Sequence, residues 1–136
     1  MTAVPPPPQV WPTLRARDAR KLISFLVDAF GFEEILVSAD GDVVHHAQLR
    51  WPPGGGIMLG SARDDADDPW ALPPGTFGAY AVTDDPDRLC ARALAAGAEL
   101  VQRVQDTDYD SREFLVRDPE GNRWSFGTYR GEPIPG

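Results

Sequence analysis

Two adjacent histidines, His45 and His46, the amide Gln48 two residues on, and a distant glutamate, Glu113, are the residues best suited to moving a proton. An imidazole beside a carboxylate is a natural base. Residues 43–50 read as a strand, whose successive side chains point to opposite faces, so only one of the two histidines is expected on a given face. With Ala47 and Leu49 turned into the core, His46 and Gln48 take the free face; with Phe114 and Val116 turned in, Glu113 and Leu115 do likewise. His46 and Glu113 are therefore a candidate acid-base pair, the plainer alternative being that each lines a polar surface or makes one hydrogen bond. His45, on the other face, is expected to be structural. Trp11, Thr13 and Arg15 share a strand face, as do Tyr80 and Val82. Aromatic walls with a few polar groups suit a planar or amphipathic ligand, held by stacking and oriented by Arg15.

Other reactive types read as structural. Cys90 lies among helix residues as a small apolar group. Asp106, Asp108 and Asp110 alternate through a loop but lack the glycine and terminal glutamate of a calcium-binding loop, so a solvated acidic loop is expected. Trp124 and Phe126 flank Ser125 and belong beneath a helix, whereas Trp51 and Trp70 are loop aromatics that either cover the core or meet a second subunit.

The elements that position these residues are written twice. Arg117 to Gly127 reads as a hairpin about Pro119 and Gly121, and Arg50, Pro52, Gly54 and Gly60 match Arg117, Pro119, Gly121 and Gly127 at an offset of 67. Asp18 opens a helix with Leu22, Phe25, Leu26, Ala29 and Phe30 on one face, and Gly31 ends it. Asp85 opens the second, with Pro86 in its first turn and Gly97 as its stop; the glycines match at 66, one residue short. Strands are expected over 10–17, 32–37, 43–50 and 57–60, then over 77–83, 99–104, 111–117 and 123–129. Residues 10–131 thus form a single domain of two modules, 10–60 and 77–130, joined by an Asp- and Pro-rich linker, 61–76, and flanked by a flexible proline-rich arm, 1–9, and a tail, 132–136. The fold class is α+β: two βαβββ modules, each sheet with one face under a helix and one free, building a cup.

Composition narrows the partners. The 136-residue chain can bury a sizeable core, and its net charge of −8 disfavours nucleic acid and anionic membranes. One cysteine excludes an internal disulfide and a cysteine-based zinc cluster. With neither a basic, apolar leader nor a membrane-length apolar run, a cytoplasmic location is expected. Free sheet edges and faces in so small a chain suggest a homodimer.

Asp18 to Phe32, His46-Ala47-Gln48-Leu49, Val82-Thr83-Asp84-Asp85, Ala96-Gly97-Ala98-Glu99 and Asp118-Pro119-Glu120-Gly121-Asn122 together resemble the vicinal oxygen chelate superfamily, also called the glyoxalase and bleomycin-resistance superfamily. The resemblance implies paired βαβββ modules forming a cup, commonly by two subunits exchanging halves. Its metal-dependent members hold a divalent ion on His, Glu or Gln from the first and fourth strands of each module. Those positions fall here on Trp11, Gly78, Met58 and Ser125, and a slip of one or two residues supplies no better donor. The resemblance thus implies a protein without metal or other cofactor that binds a small molecule, with Met58 and Ser125 lining the ligand face. The alternatives are an enzyme of the same superfamily, a lyase, isomerase or dioxygenase that is metal-dependent or uses His46 and Glu113, and a structural partner without ligand.

Overall fold

Asp18 and Asp85 open their helices by the expected chemistry: the Asp18 carboxylate accepts the Lys21 amide at 3.2 Å and the Asp85 carboxylate the Arg88 amide at 3.1 Å. Each satisfies an amide that a helix start leaves unpaired. In the computed structural model, which describes residues 7–135, helix α1 spans Ala19–Phe25 and runs on as one π-helical turn, Leu26–Phe30. Gly31 stops it in the left-handed region at φ 87°. Helix α2 spans Pro86–Ala95. The π turn accounts for the uneven repeat. A wider turn takes up one residue without moving the ends of the helix, which is the residue by which the glycine spacing falls short of the aspartate spacing.

The strands of the first module are β1 (Thr13–Ala16), β2 (Glu33–Asp40), β3 (Val43–Arg50) and β4 (Gly56–Ser61), in the order β1-β4-β3-β2. Those of the second are β5 (Gly78–Val82), β6 (Glu99–Asp106), β7 (Arg112–Arg117) and β8 (Arg123–Gly127), in the order β5-β8-β7-β6. In both, the first strand runs parallel to the fourth and the other neighbours are antiparallel. This is the duplicated α+β arrangement expected of the sequence. The first strand is shorter than its pattern suggested, because Pro12 has no amide for the ladder and contributes only its carbonyl, which accepts the Met58 amide at 2.9 Å. Residues 1–6 of the arm and Gly136 lie outside the described residues.

The buried face of sheet 1 presents Leu14, Ala16, Ala47, Leu49, Ile57 and Leu59; that of sheet 2 presents Phe114, Val116, Trp124 and Phe126. The modules share one aromatic core. Phe30 from the π turn packs 4.7 Å from Phe126 and 5.5 Å from Trp124, and Trp51 packs 5.0 Å from Phe32 and 5.7 Å from Phe126. Trp51 therefore covers the core, and Trp70 remains half exposed on the linker.

The Asp-Pro-Glu-Gly-Asn turn serves this junction. Asp118 is buried, and its carboxylate accepts the amides of Glu120 and Asn122, the Asn122 side chain and the Trp124 indole, all at 2.9–3.0 Å. Asn122 in turn accepts the Phe77 amide at 3.0 Å, tying the turn to the start of β5. Glu120 crosses to the first module, where it accepts the Arg17 amide at 2.7 Å and the Asp18 amide at 3.0 Å. A carboxylate at a helix N-terminus is stabilised by the helix dipole as well as by these bonds. The corresponding turn of module 1 makes the reciprocal crossing by other chemistry, the Trp51 indole donating to the Val82 carbonyl at 3.1 Å.

Candidate functional site

Alternation along the strands leaves Thr13, Arg15, Gln48 and Met58 on the face of sheet 1 away from α1, and Tyr80, Glu113, Leu115 and Ser125 on the corresponding face of sheet 2, all less buried than their inward neighbours. The register aligns them in rows. Thr13 lies beside Met58 and Met58 beside Gln48; the equivalent row is Tyr80, Ser125, Leu115.

Two glycines let large side chains lie down on sheet 1. A Cβ on Gly56 would sit 2.5 Å from the Trp11 ring, and one on Gly60 would sit 2.5 Å from an Arg15 terminal nitrogen. The Trp11 indole is anchored by donating to the Pro8 carbonyl at 3.1 Å, and Arg15 Nε donates to the Trp70 carbonyl at 3.1 Å. Burial lowers the affinity of the Arg15 guanidinium for its proton, with Arg63 acting in the same sense and Asp68 opposing. Asp68 accepts the Trp70 amide at 2.8 Å and pairs with Arg63 at 3.1 Å, so the linker folds back onto this end of the sheet.

The histidines depart from strict alternation. Ser38 faces His46 while Ala39 faces Val44, a bulge that skips His45. Val44 and Ala47 both turn into the core, which leaves both His45 and His46 outside it, where alternation had assigned them opposite faces. His45 Nε2 lies 2.8 Å from Asp40 Oδ2, a structural contact. His46 and Glu113 sit on different sheets, and among the described residues no hydrogen bond or ion pair joins them; Glu113 instead accepts from the Tyr109 hydroxyl at 2.6 Å.

A cavity of about 370 Å³ lies between the modules, walled by Phe32, Trp51, Phe77, Ala79, Tyr80 and Trp124 among others. Of the residues the sequence placed on a ligand face, Tyr80 and Val82 line it. The rest of its wall was read from sequence as core or loop, because the cavity is made by docking one module on the other and leaves no periodic signal.

The chemistry of the two rows does not suit the divalent ion that the resemblance implies for metal-dependent members of the superfamily. Hydroxyl, thioether and amide groups in one row, with phenol, hydroxyl and isobutyl groups in the other, supply no carboxylate or imidazole. Among the described residues no group of three or more His, Cys, Asp or Glu converges on a point, the acidic loop at Asp106 to Asp110 included. Cys90 is buried in the core, and burial pushes its thiol pKa up, away from reactivity.

Comparison with known proteins fits this arrangement. An uncharacterised protein of Mycobacterium tuberculosis, Rv0887c, is 33% identical over 127 residues, spanning 88% of this chain and 74% of its own. The crystal structure of TioX from Micromonospora sp. ML1 superposes with a TM-score of 0.71 at 30% identity, covering 87% of this chain and 97% of that one. TnmS3, an antibiotic binding protein from Streptomyces sp. CB03234, shares the fold with a TM-score of 0.64 at 23% identity, over 84% of this chain and 88% of that one. Residues 9–126 match the family model of the Glyoxalase/Bleomycin resistance protein/Dioxygenase superfamily, and the chain belongs to that superfamily.

Proposed function

We propose that this protein binds a small planar or amphipathic molecule on the free faces of its two sheets, without a resident metal or other cofactor, as a cytoplasmic homodimer. The observation that carries the reading is the pair of rows Thr13, Met58, Gln48 and Tyr80, Ser125, Leu115, flanked by the Trp11 ring laid over Gly56 and by Arg15 laid over Gly60. Such a surface offers apolar contact and stacking with a few polar groups to fix orientation. The antibiotic-binding description of TnmS3, whose fold the chain shares, is in keeping with it. A second copy is supported by the apolar side chains left in the open on the outermost strands, Ile35 and Leu36 on β2 and Leu100 and Val101 on β6.

Quinoline and naphthalene derivatives, titrated while Trp fluorescence is followed, test the binding reading: saturable quenching that Trp11→Ala reduces is expected. Stoichiometric zinc, nickel, manganese or iron(II) retained by the protein and abolished by His46→Ala would overturn it and restore a metalloenzyme. Turnover of candidate substrates that depends on His46 and Glu113 would replace it with acid-base catalysis. Sedimentation at micromolar concentration is expected to give a dimeric mass, with an interface in the range of roughly 1,200–2,000 Å² typical of stable complexes.

A further inference from the structure

The chain has three tyrosines, and all three gather at one end of sheet 2 although they come from β5, the β6–β7 loop and the segment after β8. The Tyr109 hydroxyl donates to Glu113 Oε1 at 2.6 Å, and the Tyr80 hydroxyl donates to the Tyr129 carbonyl at 2.6 Å. The Tyr109 and Tyr129 rings meet edge to face at 5.7 Å. Gly127 pairs with Glu113 across the β7–β8 ladder, and a Cβ there would lie 2.5 Å from Glu113 Cγ and 2.8 Å from the Tyr80 hydroxyl. The glycine is what lets the carboxylate and the phenol approach each other on the sheet.

Glu113 takes part in no ion pair among the described residues. The arginines of this end are committed elsewhere, Arg112 to Asp87 and Asp106 and Arg130 to Asp84. One phenolic donor leaves a carboxylate with most of its acceptor capacity and all of its charge. Tyr80 and Tyr109 remain 42% and 52% exposed, so the group is open to a ligand. Aromatic faces attract cations through their quadrupole, and a carboxylate among them adds a direct Coulomb attraction. The net charge of −8 acts in the same direction.

We propose that Glu113, Tyr80, Tyr109 and Tyr129 form a subsite for the positively charged amino or quaternary ammonium group of the ligand. The proposal rests on the ligand-binding reading above and adds the charge of what is bound.

The test uses the full-length ¹⁵N-labelled protein and three probes of similar shape: phenethylammonium, 2-phenylethanol and phenylacetate. Phenethylammonium is expected to shift the amides of Tyr80, Glu113, Gly127 and Tyr129 saturably at millimolar concentration, with the neutral and anionic probes binding about tenfold more weakly or worse. Glu113→Gln keeps the shape of the side chain and should weaken the cation about tenfold while leaving 2-phenylethanol unaffected. Tyr129→Leu removes a ring without touching the carboxylate and should weaken the cation severalfold; dispersed spectra confirm that each variant is folded. Equal affinity for 2-phenylethanol and phenethylammonium, or an undiminished affinity in Glu113→Gln, overturns the cation subsite and leaves ligand binding standing. A failure of all three probes to shift these amides also overturns it, and the aromatic titrations then decide the broader reading separately.

Discussion

Replacing Asp118 by alanine tests whether the Asp-Pro-Glu-Gly-Asn turn is a structural keystone or a ligand loop. The carboxylate accepts four hydrogen bonds, and two of its donors, the Asn122 side-chain amide and the Trp124 indole, belong to residues 0% and 1% exposed. Alanine strands both donors where water cannot replace the lost acceptor. A stranded buried donor costs about 1–3 kcal/mol, so the pair gives about 2–6 kcal/mol, before the two turn amides are counted. Against a total stability of about 5–15 kcal/mol for a domain, that is a large fraction. In urea titrations read by Trp fluorescence, a loss of about 4 kcal/mol at a slope of about 2 kcal/mol per molar lowers the midpoint by about 2 M. Asp118→Asn keeps one acceptor oxygen and should fall between alanine and the native protein. A loss below about 1 kcal/mol in Asp118→Ala at unchanged slope, or equal losses in the two variants, would refute the account, since buried donors left without an acceptor cannot be that cheap.

Three further outcomes are expected. Glu120→Ala removes the acceptor for the Arg17 and Asp18 amides and should raise hydrogen exchange at both by about tenfold or more, with a stability loss of about 1–3 kcal/mol. All three phenols are held above their ordinary pKa: Tyr80 by burial in the first place, Tyr109 by its hydrogen bond to Glu113 and Tyr129 by its bond to Glu132. Because the folded state holds these protons more tightly than the unfolded one, the stability they confer is complete below pH 10 and is lost as pH rises above it. Absorbance titration of tyrosinate in the native protein should therefore be displaced upward, and Glu113→Gln should return part of it; a titration centred at the unfolded value contradicts the cluster. The Cys90 thiol, buried and raised first by burial and then by Asp87, should resist alkylation by iodoacetamide at pH 8 until the chain is unfolded, and rapid native-state labelling would contradict its place in the core.

Much of this architecture is local and was therefore legible in the residues alone. Helix starts at Asp18 and Asp85 and stops at Gly31 and Gly97 follow from unpaired amides and left-handed backbone, which depend on neighbours a few positions away. The inward facing of Ala47, Leu49, Phe114 and Val116 follows from the two-residue period of a strand, and with it the free faces that carry Gln48, Glu113 and Leu115. Alternation failed at His45, because a bulge depends on how β2 and β3 pair and not on either strand alone. Glu120 gave no sign of reaching Arg17 and Asp18, and Trp51 no sign of reaching Val82, since those contacts exist only once one module docks on the other. The same is true of the tyrosines. Tyr80, Tyr109 and Tyr129 are unremarkable one by one, and only the β5-β8-β7 pairing, with a glycine at position 127 that leaves room for the Tyr80 hydroxyl and Glu113, gathers the three tyrosines around that carboxylate. Periodicity fixes which way a side chain points, whereas what it meets is decided by the docking of segments far apart in the chain.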